Sequence, residues 1–147
     1  MRCQLQQTPQ GGMNQATGTN MSEPDRKIQS ILLVDDEPSV VFALKLLLQA
    51  LGYQVEAFNT PSEAVIALES QAPFDLVLCD LKMPVLNGLG VLKACRAARP
   101  ELPFVLMSAH ASSEEIEQAY SLGATGFLPK PFTPEELKQL IEKLSKT

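Results

Sequence analysis

The chain lacks a basic stripe, a long apolar run and a cysteine framework, and each absence closes off a class of function. Its formal net charge is −5 at pH 7. The basic residues are scattered: Arg96 and Arg99 lie close together, but Glu101 follows them. That balance argues against direct contact with nucleic acid, which needs clustered positive charge. The longest apolar stretch, Val40 to Leu48, is interrupted by Lys45 and is far too short to span a bilayer. Residues 1–27 hold no apolar core of the kind a secretory signal needs. No membrane insertion is therefore expected, and a cytoplasmic location is the default. Cys3, Cys79 and Cys95 are odd in number, and their spacing fits neither a zinc site nor a disulfide framework. Cys79 and Cys95 read as small packed hydrophobes; a redox role for Cys79, beside Asp80, is the alternative.

A length of 147 residues suits one domain plus a tail. Residues 1–27 are rich in Gln, Thr, Gly and Asn and carry almost no aliphatic periodicity. Such a segment cannot bury enough apolar surface to offset its ordering entropy, so it reads as a disordered N-terminal tail. Met13 and Met21 leave the natural start open beside Met1. From residue 28 to 147 the pattern changes to five short apolar runs alternating with five helical stretches. The runs are Ile31–Val34, Tyr53–Phe58, Asp75–Cys79, Phe104–Met107 and Thr125–Leu128. Three of them are continuously apolar, as strands covered on both faces are. Tyr53–Phe58 alternates with Gln54 and Glu56, which suits an edge strand.

Helix starts are marked by Asp36-Glu37-Pro38, by Thr60-Pro61-Ser62-Glu63, by Ser112 with Glu115, and by Thr133-Pro134-Glu135-Glu136. Asn87-Gly88 is a turn signal before the third helix, which runs to about Ala98 ahead of Pro100. Gly52 and Gly123 stand where helix C-terminal glycines belong. Strand and helix in strict alternation, with short connections, imply right-handed crossovers. The expected fold is α/β: a doubly wound five-stranded parallel sheet in the flavodoxin-like order 2-1-3-4-5, with five helices. Ligands of such sheets collect beyond the carboxyl ends of the strands.

Those ends give a narrow set of groups. The first strand leads to Asp35-Asp36, the third to Asp80, the fourth to Ser108 and the fifth to Lys130-Pro131. Three carboxylates brought together raise one another's pKa unless a cation intervenes. Mg2+ suits them, because it takes hard oxygen ligands and pairs with phosphate. A lysine and a serine supply charge and a hydrogen bond to an oxygen-rich phosphoryl group. An aspartate can itself be the nucleophile, forming an aspartyl-phosphate, and it needs no general base because it is already ionised.

The segments ILLVDDEP, LVLCDLKMPVLNGLGVL, VLMSAH and GATGFLPKPF resemble the receiver domains of two-component response regulators, single-domain chemotaxis and phosphorelay types included. Together they span about residues 30 to 145. The resemblance implies that Asp80 is the phosphoacceptor. It implies a Mg2+ site at Asp36, at Asp35 through water, at Asp80 and at the backbone carbonyl of Lys82. Ser108 and Lys130 stand where the phosphoryl group is contacted, Ser108 and Phe127 at the switch positions, and Pro131 after a cis peptide bond. The implied partners are a sensor histidine kinase or histidine phosphotransfer protein, and a downstream protein. The downstream target would read the face built from the fourth helix, fifth strand and fifth helix. The implied chemistry is that of a phosphoacceptor that assists its own phosphorylation and dephosphorylation, rather than an enzyme acting on others.

Plainer roles remain for several of these residues. Asp36 fits a helix cap, Ser108 a loop cap, and Lys130 a solvated lysine. Phe127 fits a core position, and it lacks the hydroxyl that would anchor an outward ring. Lys82, two residues beyond Asp80, and His110, two beyond Ser108, are placed to tune the lifetime of the aspartyl-phosphate; solvent-facing positions are the alternative for both. Other classes of function fit less well. An unphosphorylated scaffold would have lost site residues, and all five are present. An aspartate-nucleophile phosphatase needs a second acid where Lys82 stands. A flavin site needs a phosphate-binding loop after Val34, where two acids would repel a phosphate. The last apolar pattern ends near Thr147, so no output domain is expected within the chain.

Overall fold

The computed structural model describes residues 27–145; the segment read as a disordered tail lies, Lys27 apart, outside the described residues. The strands are β1 (Ser30–Val34), β2 (Gln54–Phe58), β3 (Leu76–Asp80), β4 (Phe104–Ser108) and β5 (Gly126–Pro129). The helices that alternate with them are α1 (Pro38–Ala50), α2 (Pro61–Glu69), α3 (Gly88–Ala98), α4 (Ser113–Ser121) and α5 (Pro134–Ser145). All strand pairs are parallel, in the order β2-β1-β3-β4-β5. This is the doubly wound architecture expected from the alternation of runs, with β2 at an edge.

The period of two in each strand divides the core. Leu32, Val34, Val77, Cys79, Phe104 and Leu106 point to one face, where they pack with Ala64 and Leu68 of α2 and with Leu89, Leu92 and Cys95 of α3. Ile31, Leu33, Leu76, Leu78, Val105 and Met107 point to the other, against Leu44 and Leu48 of α1 and Leu137 and Ile141 of α5. The central strands β3 and β4 are buried along their whole length. Each such leucine, valine, phenylalanine or methionine contributes about 1.5–3 kcal/mol when fully buried, so these strands hold the sheet in place. Cys79 and Cys95 are both buried free thiols of this core, and burial pushes the Cys79 thiol well above its ordinary pKa. A buried protonated thiol is a poor nucleophile, which favours the packing role.

Several local expectations need correction. Thr60 occupies the N-cap position of α2, yet its side chain makes no capping hydrogen bond. The N-cap position of α1 falls on Glu37 rather than Asp36, again without a side-chain cap. The Glu37 N–H is satisfied by Asp35 Oδ1 at 3.1 Å. Tyr53, Asp75 and Thr125 lie just outside their strands. Asp75 accepts from the Gln29 and Ser30 N–H groups, both at 3.0 Å, and Thr125 Oγ1 accepts from the Phe104 N–H at 3.0 Å. Their polar ends stitch neighbouring strands together where the ladders begin. The capping boxes at Ser112/Glu115 and Thr133/Glu136 form as their spacing dictates.

Candidate phosphoryl-accepting site

Register decides which side chains meet. Val34 pairs with Cys79, so Asp35, one residue on, stands level with Asp80. Asp80 pairs with Met107 and Ser108 with Pro129, so Ser108 and Lys130 rise just beyond, at the same end of the sheet. Asp35, Asp36 and Asp80 bring one carboxylate oxygen each within 4.8 Å of one another. Asp35 is buried to 1% exposure and Asp80 to 7%, while Asp36 is half-buried.

Lys130 enters this acidic group from the far side of the sheet. Its Nζ donates to Asp35 Oδ2 at 3.0 Å and to Asp80 Oδ1 at 3.3 Å. The Lys130–Pro131 peptide bond is cis. With Oδ1 taken by the Glu37 N–H and Oδ2 by Lys130, Asp35 has both oxygens engaged. Burial and the Asp35 carboxylate raise the pKa of Asp80, and the Lys130 charge only partly offsets them. Burial alone would depress the Lys130 ammonium, but its bonds to Asp35 and Asp80 raise it overall. Three carboxylates face one ammonium, so the site is short of positive charge. Hard carboxylate oxygens with unmet demand for a cation fit Mg2+. The side chains of Asp35, Asp36 and Asp80 could hold it.

The remaining residues sit around this centre. Ser108 is 3% exposed, and its Oγ accepts from the His110 N–H at 3.2 Å, so the hydroxyl is held at the mouth of β4. The His110 side chain is exposed. Phe127 is half-buried and packs against the α2–α3 side of the core. The Lys82 ammonium does not extend freely into solvent: it donates to Glu115 Oε2 on α4 at 2.9 Å. Glu115 is recognisable in the sequence only as a capping residue; nothing in its spacing signals a partner 33 positions away.

Two features between the end of β3 and the start of α3 leave no signal in the sequence. Val85 adopts φ 71° with its side chain fully exposed, a left-handed conformation that β-branched residues disfavour. Gly88 is required for space rather than for a turn dihedral, because a Cβ there would lie 2.6 Å from the Asp80 carbonyl oxygen and from Leu106 Cδ2. The start of α3 thus rests directly on the backbone of Asp80.

Comparison with known proteins gives one consistent picture. The family model of the response regulator receiver domain matches residues 31–142. The DNA-binding transcriptional regulator NtrC of Salmonella typhimurium is 35% identical over 113 residues, which are 77% of this chain and 24% of that protein. The chain therefore spans about a quarter of the length of the curated relatives it matches. Among solved structures, chemotaxis protein CheY4 of Vibrio cholerae superposes with a TM-score of 0.74 at 32% identity, covering 80% of this chain and 98% of that one. The receiver domain of sensor histidine kinase PA1611 of Pseudomonas aeruginosa superposes with a TM-score of 0.72 at 30% identity, covering 79% and 96%. That structure is described with a magnesium ion coordinated in its active-site cleft. No helix among the described residues is long and apolar enough to cross a membrane.

Proposed function

The chain belongs to the response regulator receiver family, and on that premise we propose that Asp80 accepts a phosphoryl group from a phosphohistidine on a sensor histidine kinase or histidine phosphotransfer protein. The observation that carries this is the placement of Asp80: a nearly buried carboxylate, short of positive charge, with Lys130 3.3 Å away and two further acids beside it. A carboxylate oxygen of Asp80 attacks phosphorus; the P–O bond forms as the P–N bond breaks, and the donor imidazole departs with the bonding electron pair. Lys130 follows the charge onto the phosphoryl oxygens, and Ser108 offers them its hydroxyl. Mg2+ bound at Asp36, Asp80, the Lys82 carbonyl and, through water, Asp35 would neutralise charge on those same oxygens.

Residues 28–147 form the receiver unit in this reading. The protein acts as a phosphoacceptor in the cytoplasm, not as an enzyme on other substrates, and this unit makes no direct contact with nucleic acid. Movement of Ser108 toward the new group, followed by Phe127, would alter the α4–β5–α5 face for a downstream protein. Lys82 and His110 flank the site and tune how long the aspartyl-phosphate lasts. The test is incubation with acetyl phosphate and Mg2+, followed by intact-mass measurement. Wild type should gain one phosphoryl group and Asp80→Asn none; an unchanged wild-type mass removes the proposal and leaves a scaffold.

A further inference from the structure

The Lys82–Glu115 pair joins the loop that follows Asp80 to the first turn of α4. Glu115 divides its carboxylate between two tasks. One oxygen, Oε1, accepts the Ser112 N–H at 2.9 Å and completes the capping box with the Ser112 hydroxyl, which accepts the Glu115 N–H at 3.1 Å. The other, Oε2, takes the Lys82 ammonium. Loss of Lys82 would therefore leave both capping-box partners in place but remove the tie that steadies this first turn against the loop. The pair is open to water, with side-chain exposures of 51% for Lys82 and 30% for Glu115. An ion pair of that kind is weak and exchanges readily for a better partner.

We infer that phosphorylation of Asp80 draws Lys82 away from Glu115, so that the β3–α3 loop releases α4 by exchange of one ion pair. This rests on the assignment of Asp80 as phosphoacceptor. Lys82 is two residues from Asp80 on a long, flexible stem, and the incoming group carries nearly twice the charge of a carboxylate and three acceptor oxygens. Glu115 competes with a single charge in high-dielectric surroundings. The exchange gives the site a second route to α4, separate from Ser108 and Phe127. It also sets the two demands on Lys82 against each other: while it holds Glu115, it is absent from the phosphoryl group.

Glu115→Gln isolates the route, because glutamine still accepts the Ser112 N–H in the capping box but cannot hold Lys82 by charge. Hydrogen exchange at the amides of Glu115 and Ile116 is measured on the full chain, with and without beryllofluoride and Mg2+. In the wild type these amides should exchange about two- to five-fold faster with beryllofluoride bound, the range expected for release of an exposed pair. In Glu115→Gln they should be fast already and respond no further. In the same variant, freed Lys82 should also lengthen the aspartyl-phosphate lifetime by a similar factor. An equal response in both proteins, or none in a wild type that demonstrably binds beryllofluoride, overturns the exchange. A wild type that neither binds beryllofluoride nor accepts phosphate from acetyl phosphate fails at the earlier step, and the exchange falls with the phosphoacceptor assignment.

Discussion

Lys130 lies closer to Asp35 than to Asp80: its Nζ is 3.0 Å from Asp35 Oδ2 and 3.3 Å from Asp80 Oδ1. The lysine is thus held first by a fully buried acid whose other oxygen is fixed by the backbone. Asp80 receives the weaker share of its charge, which leaves it the less compensated of the two.

Removing the lysine should therefore cost stability as well as function. Lys130→Met leaves Asp35 buried without its cation. The loss should be about 2 kcal/mol, below the range for fully buried pairs because Lys130 keeps some contact with water. Urea denaturation reads the stability, and acetyl phosphate labelling should fall to background. Unchanged stability would mean that Asp35 finds another partner.

Asp80→Asn should have the opposite effect on folding. The folded-state pKa of Asp80 is raised, so the side chain is tolerated best below its unfolded pKa, where it is a neutral acid in both states. That tolerance is lost as pH rises through the folded value. Near neutral pH, where the buried carboxylate is ionised beside Asp35, the variant should be more stable than wild type. The advantage should shrink as pH falls below the folded pKa. Thermal melts across pH 3 to 8, chosen to bracket the ordinary carboxylate range, would show it; a constant gap contradicts the electrostatic account.

Mg2+ should narrow the same gap from the other side. A cation at Asp36 and Asp80 stabilises the wild type by mass action, about 2.7 kcal/mol at one hundred times the dissociation constant. Asp36→Asn should lose most of that gain while folding normally in the absence of metal, because the Asp36 side chain does not cap α1. Melting temperature against Mg2+ concentration is the measurement. An equal gain in the variant moves the ion elsewhere.

Val85 offers a change that stabilises. Its φ of 71° costs a β-branched residue about 1–2 kcal/mol, and its exposed side chain recovers none of that by packing. Val85→Asn should recover about 1 kcal/mol, since asparagine tolerates the left-handed region. Chemical denaturation at matched conditions would reveal a loss if the valine makes a contact that offsets the strain.

The sequence by itself determined the five strands, the five helices and the identity of the groups at the strand ends. Those features follow from short-range rules: continuous apolar runs for buried strands, capping residues at fixed offsets, and acids or a lysine placed where a run stops. Local rules also misled where several residues satisfied them equally. Thr60 has a capping sequence but no capping bond, and Gly88, read as a turn residue, is there to let α3 approach Asp80.

Only the tertiary structure decided how the charges are shared. Asp35 and Lys130 are 95 positions apart, and Lys82 and Glu115 are 33 apart. Strand order and register bring the first pair together, and the placement of α4 beside the β3–α3 loop brings the second. Neither distance leaves a periodic trace in the chain. A pKa is likewise a property of surroundings: the sequence supplies the carboxylate of Asp80, and burial beside Asp35 makes it a group in need of a cation.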